Sequence, residues 1–179
     1  MADGRVSDAG EGRVSGTVVI GLGNPLMGDD GAGLVALEVL RDEWLLDGVE
    51  LVDGGTWGMS LLPDIEDSDR IIFVDAIVAG GKAGDIVVLE RERLPIYFTR
   101  ALSPHQTDLR DVLAAAELRG TLPAESVAIG VEPAVVALGT ELSAVVQGSI
   151  GPMVEAVIDQ LRRWDHECEL RAADAACTK

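Results

Sequence analysis

The sequence predicts a three-layer α/β sandwich, in which helices cover both faces of a five-stranded, mostly parallel twisted sheet. Two observations support this fold class. Short apolar runs, each long enough for one strand, alternate with longer segments whose apolar residues recur at helical spacing. The first such run, Thr17–Leu22, is apolar at successive positions, which is typical of a central parallel strand covered on both faces.

The pattern of apolar runs, glycines and prolines predicts five strands and four helices. The strands are expected at Thr17–Leu22, Val49–Val52, Ile71–Val74, Asp85–Leu89 and Glu125–Val131. The helices are expected at about 31–44, 56–66, 103–119 and 141–164. Ser103, Pro104 and Gln106 define the start of the third helix, because they supply an N-cap, a first-turn proline and a capping box.

Two details of packing follow from the same pattern. The third and fourth strands are close in sequence, which favours an antiparallel pair between Ile71–Asp75 and Ile86–Leu89. Apolar residues at helical spacing are expected to be buried, and these include Trp44, Met59 and Val145.

The length of the chain fits one domain, which we expect to span residues 17–164. Residues 1–16 are rich in glycine, serine and aspartate and have little apolar content, so they predict a disordered leader. Residues 165–179 are charged and predict a frayed tail.

The net charge of −17 limits the partners of the protein. It disfavours nucleic acid and anionic membranes, both of which repel an acidic surface. No segment has the ~18 consecutive apolar residues of a membrane-spanning helix. Cys168 and Cys177 form neither a CxxC pair nor a disulfide framework, so we expect a cytoplasmic protein. Only 3% of residues are aromatic, which gives no obvious interface patch and favours a monomer.

The stretch Gly21–Gly33 has the features of a functional loop. It joins the first strand to the first helix, and its glycines permit positive φ and close backbone approach. Asp29 and Asp30 therefore lie at the carboxyl end of a strand, the edge of an α/β sheet where ligands bind. Asp29 is expected to be solvated or to cap the helix, which leaves Asp30 as the candidate ligand.

Asp75 and His105 are expected to join Asp30 at this edge. Asp75 ends the third strand, and His105 lies in the first turn of the third helix. Both carboxylates reach the same edge if the first and third strands are neighbours. One imidazole and two carboxylates suit a borderline divalent metal. The helix dipole disfavours a protonated imidazole by about 0.3–1 kcal/mol, which keeps the ring neutral for ligation.

Each of these residues also has a simpler interpretation. A carboxylate at a strand end, such as Asp75, is often a turn former or a helix cap. His105 is interpreted equally well as a first-turn residue without a ligand. Asp53 is interpreted first as a turn former in a loop, and second as a substrate contact or as a residue that supports the ligands.

The glycines of the first loop also suggest a nucleotide site. Gly21-Leu22-Gly23 after a strand resembles the start of a dinucleotide fingerprint. However, Leu26 occupies the position of its last glycine, and the two adjacent carboxylates would repel a pyrophosphate. We therefore disfavour this interpretation.

Five segments, in the same order along the chain, resemble the [NiFe]-hydrogenase maturation endopeptidases. They extend over roughly residues 17–163 and are Gly21–Gly33, Asp53–Met59, Phe73–Val78, Leu102–Gln106 and Ile129–Pro133. The resemblance implies a phosphorylase/hydrolase-like α/β fold and an aspartic-type endopeptidase. It also implies that Asp30, Asp75 and His105 form the catalytic, metal-contacting triad.

The resemblance further implies a substrate. Members of this family remove a short C-terminal peptide from the hydrogenase large-subunit precursor after nickel insertion, and the nickel in the precursor is the recognition element. The metal is thus expected to come with the partner protein. Some members carry Glu at the first triad position, whereas this chain has Asp30, which is shorter by one methylene.

Several alternatives remain open at this point. Nickel either polarises the scissile carbonyl or serves for recognition only while Asp75 activates water. A hypothesis of another class is a nickel-binding maturation chaperone without proteolysis, which cleavage of a precursor would distinguish. Trp57, Tyr97 and Phe98 are interpreted either as substrate contacts or as covers of the core.

Overall fold

The computed structural model describes residues 16–56, 58–94 and 104–172. Its strands, in chain order, are Thr17–Leu22 (β1), Trp44–Leu46 (β2), Val49–Gly55 (β3), Arg70–Ala76 (β4), Ile86–Glu90 (β5), Glu125–Val131 (β6) and Cys168–Leu170 (β7). Five of them form one sheet in the order β3-β1-β4-β6-β5. The pairs β3-β1, β1-β4 and β4-β6 are parallel, and β5 is antiparallel to β6. The predicted mostly parallel sheet is therefore confirmed.

Helices cover both faces of this sheet, as predicted. They are Ala32–Glu43 (α1), Leu62–Asp67 (α2), Pro104–Arg119 (α3) and Ala144–Arg163 (α4). Short 3₁₀ turns lie at Asp29–Gly31, Gly58–Leu61 and Arg91–Arg93. None of the described helices is long and apolar enough to cross a membrane.

The core has two halves because alternate residues of a strand point to opposite faces. On one face, Val19 and Ile72 pack with α1 and α4. On the other face, Ile20 and Phe73 pack with α2 and α3. All four side chains are fully buried, so β1 and β4 are the central strands of a three-layer sandwich.

The predicted antiparallel pair between the third and fourth strands is wrong. β4 already has β1 on one side and β6 on the other, so it has no free edge for β5. The chain after β4 instead crosses the end of β6, where the amide of Ile77 donates to the carbonyl of Val131 (2.9 Å). β5 then pairs with the outer edge of β6, from Ile86 opposite Val131 onward.

Part of the segment predicted as a frayed tail is a strand. β7 pairs antiparallel with β2, and the amide of Arg171 donates to the carbonyl of Glu43 (2.7 Å). His166 bridges the same region, with Nε2 2.7 Å from Oγ1 of Thr17 and Nδ1 3.1 Å from the carbonyl oxygen of Asp47. These partners are far away in sequence, so the local composition of the tail gave no sign of them. Residues 1–15 and 173–179 lie outside the described residues.

Two residues predicted to be buried are exposed. Met59 is 55% exposed and Val145 is 44% exposed. Trp44 is half-buried and packs against the core, but it belongs to β2 because α1 ends one residue before it. In each case the residue lies at or near the end of an element, where helical spacing no longer defines the buried face.

The first turn of α1 approaches the sheet so closely that Gly33 has no room for a side chain. A Cβ at this position would lie 2.1 Å from the carbonyl oxygen of Val74 and 2.4 Å from that of Leu22. Both carbonyls belong to the ends of central strands, so neither can move without disturbing the sheet. Gly33 therefore sets how the first helix leaves the carboxyl edge.

We expect Gly33→Ala to lower the free energy of unfolding by about 2 kcal/mol or more, because the backbone must shift to admit the methyl group. Gly148→Ala is the matched control, since Gly148 also lies within a helix but a Cβ there would meet nothing within 4 Å. The control should be neutral or stabilise the protein by about 0.5–1 kcal/mol, through helix propensity alone. Urea denaturation measures both changes, and equal effects would contradict the close approach.

Candidate active site

Asp30 is held at the carboxyl end of β1 by the turn that follows the strand. Gly23 has a φ of 129°, and a Cβ there would lie 1.9 Å from the carbonyl oxygen of Asp30, so both its conformation and its position require glycine. The amide of Asn24 donates a 3.1 Å hydrogen bond to Oδ2 of Asp30. Because the side chain is fully buried, its orientation is set by the protein.

Asp75 lies at the carboxyl end of β4, the strand next to β1. It is also fully buried, and its Oδ1 accepts a 2.7 Å hydrogen bond from the amide of Ala76. The 3₁₀ turn that contains Asp30 packs against β4. The two strands are neighbours, which was the condition for a shared edge, and both carboxylates lie at that edge because neighbouring strands are about 4.8 Å apart.

The third predicted ligand, His105, lies in the first turn of α3. This helix begins at Pro104, as the capping pattern predicted. The side chain of His105 is outside the described part of the structure, as are Ser103, Trp57, Tyr97 and Phe98. Among the side chains that are described, no three of His, Cys, Asp or Glu lie close enough together to hold a metal. The metal triad therefore stays a prediction.

The prediction for Asp29 is wrong, because this residue is neither solvated nor a helix cap. Its side chain is fully buried and accepts four hydrogen bonds from the segment 134–143. Oδ2 accepts from the amides of Ala134 (2.9 Å) and Val135 (2.8 Å) and from Oγ of Ser143 (2.9 Å). Oδ1 accepts from the amide of Ser143 (2.6 Å). These donors are 105 to 114 residues away along the chain, so no local pattern reveals them.

The environment of Asp29 favours its ionised form. Burial alone raises the pKa of this carboxyl, but the hydrogen bonds from Ser143, Val135 and Ala134 lower the pKa further than burial raises it. The pKa of Asp29 therefore lies below its ordinary value. Ser143 is itself the N-cap of α4, because its Oγ accepts from the amide of Val146 (3.4 Å). Asp29 thus ties the start of the last helix to the turn that contains Asp30.

Backbone hydrogen bonds join the same two segments. The amide of Gly28 donates to the carbonyl of Gly139 (2.8 Å), and the amide of Gly139 donates to the carbonyl of Leu26 (2.9 Å). The amide of Asp29 donates to the carbonyl of Val135 (3.1 Å). The turn after β1 and the segment 134–143 therefore behave as one unit at the carboxyl edge.

Glu132 is a second carboxylate whose role was not predicted. It follows β6 and is only 6% exposed. Its Oε2 accepts hydrogen bonds from the amides of Ala79 (2.8 Å), Gly80 (3.1 Å) and Gly81 (3.1 Å). Glu132 thereby holds the loop that follows Asp75. The paired glycines were a usable signal, because successive amides in such a turn form an anion-binding concavity.

A cleft of about 260 Å³ opens beside the turn after β1. Its walls come from that turn, from the exposed side of α1 and from the segment that precedes α4, and include Gly28, Gly31, Arg41 and Leu142. Asp53 also lines it, within β3 rather than in a loop, because the strand continues to Gly55 and pairs with the end of β1. The interpretation of Asp53 as a turn former is therefore wrong.

We expect Asp29→Asn to lower the free energy of unfolding by about 2 kcal/mol at neutral pH, because the charge-assisted hydrogen bonds are lost and an amide nitrogen faces a donor. The lowered pKa of Asp29 determines how its contribution to the free energy of unfolding depends on pH. Ionised Asp29 contributes fully above its unfolded pKa of about 4, and its contribution disappears as the pH falls through the lower folded pKa. Asp53→Asn is the control, since Asp53 is exposed at the same edge.

Urea denaturation of the wild type and both variants at a series of pH values measures this difference. The gap between wild type and Asp29→Asn should be widest near pH 7 and should narrow below about pH 4. A gap that is constant with pH, or equal for the two variants, would contradict the role of the buried carboxylate.

Comparison with known proteins identifies the family to which this chain belongs. A family model described as hydrogenase maturation protease matches residues 36–160. The hydrogenase 2 maturation protease of Escherichia coli K12 is 39% identical over 158 residues, which cover 87% of this chain and 96% of that protein. The hydrogenase expression/formation protein HupD of Rhizobium leguminosarum bv. viciae is 35% identical over 162 residues, which cover 89% and 80%.

Solved structures agree with these matches. The hydrogenase maturating endopeptidase HybD from Escherichia coli has a TM-score of 0.83 at 37% identity and covers 87% of this chain and 98% of its own. The [NiFe] hydrogenase maturation protease HybD from Thermococcus kodakarensis has a TM-score of 0.67 at 30% identity and covers 80% and 97%. The predicted fold and the family resemblance are both confirmed, and the chain belongs to the hydrogenase maturation proteases, a family of endopeptidases.

Proposed function

We propose that this protein removes the C-terminal extension of a [NiFe]-hydrogenase large-subunit precursor after nickel insertion, and that it recognises the nickel bound in the precursor. The observation that carries the proposal is the pair of fully buried carboxylates, Asp30 and Asp75, at the ends of neighbouring parallel strands. His105, in the first turn of α3, is the proposed third ligand. Membership of a protease family supports the hydrolytic chemistry.

Two buried carboxylates at one edge favour a cation there. Carboxylate oxygens are good ligands for divalent cations, and two of them at one edge concentrate negative charge there. The amides of Asn24 and Ala76 orient the two carboxylates, so little rearrangement is needed when a cation arrives. The net charge of −17 adds a long-range attraction for cations.

In this proposal the nickel belongs to the substrate, where cysteines of the precursor hold it. Asp30, Asp75 and His105 complete its coordination and thereby hold the scissile peptide at the carboxyl edge. Asp75 then has one of two roles. It is either a ligand only, with the scissile carbonyl polarised by the metal, or a general base that activates water.

The aspartate at the first triad position shortens the distance over which this carboxylate can extend toward the nickel. Asp30 is shorter by one methylene than the Glu found there in some members of the family. The turn that holds Asp30 is pinned on both sides, by Gly23 and by the hydrogen bonds of Asp29, so the chain cannot easily move to compensate. We expect a longer or water-mediated contact between Asp30 and the nickel, with function retained because both side chains offer carboxylate oxygens.

A cysteine nucleophile is not part of the proposal. Cys168 lies in β7, which pairs with β2 at the far end of α1, and a 12-residue helix is about 18 Å long. Burial raises the pKa of the Cys168 thiol, with Arg162 opposing, so the reactive thiolate is disfavoured. A free thiol fits a reducing compartment, and we propose that a monomer acts in the cytoplasm.

We expect Asp75→Asn and His105→Ala each to abolish processing of a nickel-loaded precursor from the same organism, because each removes a ligand to the substrate nickel. Both variants should unfold at denaturant concentrations close to that of the wild type. The mass of the precursor before and after incubation measures the loss of the C-terminal peptide. His166→Ala is the matched control, since His166 is the other histidine and contacts Thr17 and Asp47 outside the proposed site.

Full processing by either Asp75→Asn or His105→Ala would show that the proposed site is wrong. Equal loss of processing in His166→Ala would indicate that the assay reports stability rather than chemistry. Binding of the precursor by the wild type without any cleavage would instead favour a maturation chaperone that binds nickel without proteolysis.

A further inference from the structure

Three exposed apolar side chains lie on the two segments that meet around Asp29 and Asp30. Leu26, Val135 and Leu138 are 56%, 55% and 88% exposed. Leu26 belongs to the turn between β1 and Asp30, and the other two belong to the segment 134–143 that Asp29 holds. We call these three residues the Leu138 patch.

The Leu138 patch is preorganised. Gly139, which follows Leu138, forms backbone hydrogen bonds in both directions with the turn that contains Leu26. The amide of Val135 donates to the carboxylate of Asp29, and the carbonyl of Val135 accepts from the amide of Asp29. The three apolar side chains are therefore presented from a backbone that is fixed at several points. A partner that covers them loses little conformational entropy in the process.

The Leu138 patch is also uncharged within a strongly acidic protein. Residues 133–140 contain no charged side chain, although 25% of the chain is charged. Large apolar groups that are exposed together, with few charges among them, mark interaction surfaces. The surface that fits the patch is apolar, because a charged group placed on it would lose hydration without gaining a partner.

We infer that the Leu138 patch binds an apolar surface on the folded body of the precursor, outside the peptide that is removed. This inference rests on the proposed function. The precursor is the partner that this position favours. Leu26 lies in the turn that contains Asp30, and Asp29 joins that turn to the segment that carries Val135 and Leu138. A precursor whose scissile bond lies at Asp30 and Asp75 is therefore placed next to the two segments that carry the patch. In this arrangement Leu138 provides affinity and specificity for the protein substrate, and it takes no part in bond cleavage.

The test compares Leu138→Asp with Leu118→Asp. Leu118 is a close match for exposure, at 90%, but it lies in the last turn of α3, at the opposite end of that helix from His105. Time courses of precursor mass at several concentrations of nickel-loaded precursor give kcat and KM for each protein. We expect Leu138→Asp to raise KM about tenfold with kcat unchanged, the effect of losing one well-buried interface side chain. Leu118→Asp should match the wild type.

Each outcome separates the inference from the proposed function. An unchanged KM in Leu138→Asp, with normal cleavage by the wild type, overturns the docking surface and leaves the proposed function intact. A fall in kcat at unchanged KM overturns it as well, because Leu138 would then affect the chemistry. If the wild type does not cleave the precursor, both the docking surface and the proposed function are wrong.

Self-association and misfolding of the variant are tested by two further measurements. Sedimentation of the protein alone tests for a second copy as the occupant, and a dimer that Leu138→Asp dissociates would overturn the inference. Leu138→Ser repeats the kinetic test with an uncharged polar residue, so that a folding defect caused by the aspartate cannot imitate a binding defect. Matching urea midpoints for wild type and variants confirm that the fold is retained.

Discussion

The buried carboxylate of Asp29 is the interaction on which the arrangement of the site depends. Its four hydrogen bonds connect the turn after β1 to the segment 134–143 and to the N-cap of α4. A carboxylate in this position must remain ionised and fully bonded, since each buried donor left without an acceptor costs about 1–3 kcal/mol. Asp30 is the next residue, so the contacts that hold Asp29 also fix Asp30.

Strand order supplies the second carboxylate. β4 lies between β1 and β6, and its apolar side chains are buried on both faces. A charged residue in such a strand is tolerated at its carboxyl end, where Asp75 lies next to the turn that contains Asp30. Glu132 then holds the loop after Asp75 through three backbone amides. Asp29 and Glu132 therefore have parallel roles, each fixing the backbone around one of the two carboxylates proposed to act on the substrate.

Local sequence was sufficient to locate the buried parallel strands. Thr17–Leu22 and Glu125–Val131 have the predicted bounds, because a continuous apolar run between turn residues identifies a buried parallel strand. Contacts between distant segments were not predictable in this way. A carboxylate in a glycine-rich turn has the same neighbours in sequence whether it is solvated or, like Asp29, bonded to residues 105 to 114 positions away. The pairing of β2 with β7 was missed for the same reason. Positions at strand and helix ends suggested Asp30, Asp75 and His105 as ligands, the family resemblance implied their roles, and those roles remain a prediction.

Recognition of nickel in the substrate is tested most directly by comparing one precursor in two forms. The wild-type protein is incubated with the nickel-loaded and the nickel-free large-subunit precursor from the same organism, and the mass of each is followed with time. If the buried carboxylates act on a metal held by the substrate, only the nickel-loaded form loses its C-terminal peptide. Removal of the peptide from both forms at the same rate would contradict this, and it would mean that Asp30 and Asp75 act on the peptide without the metal.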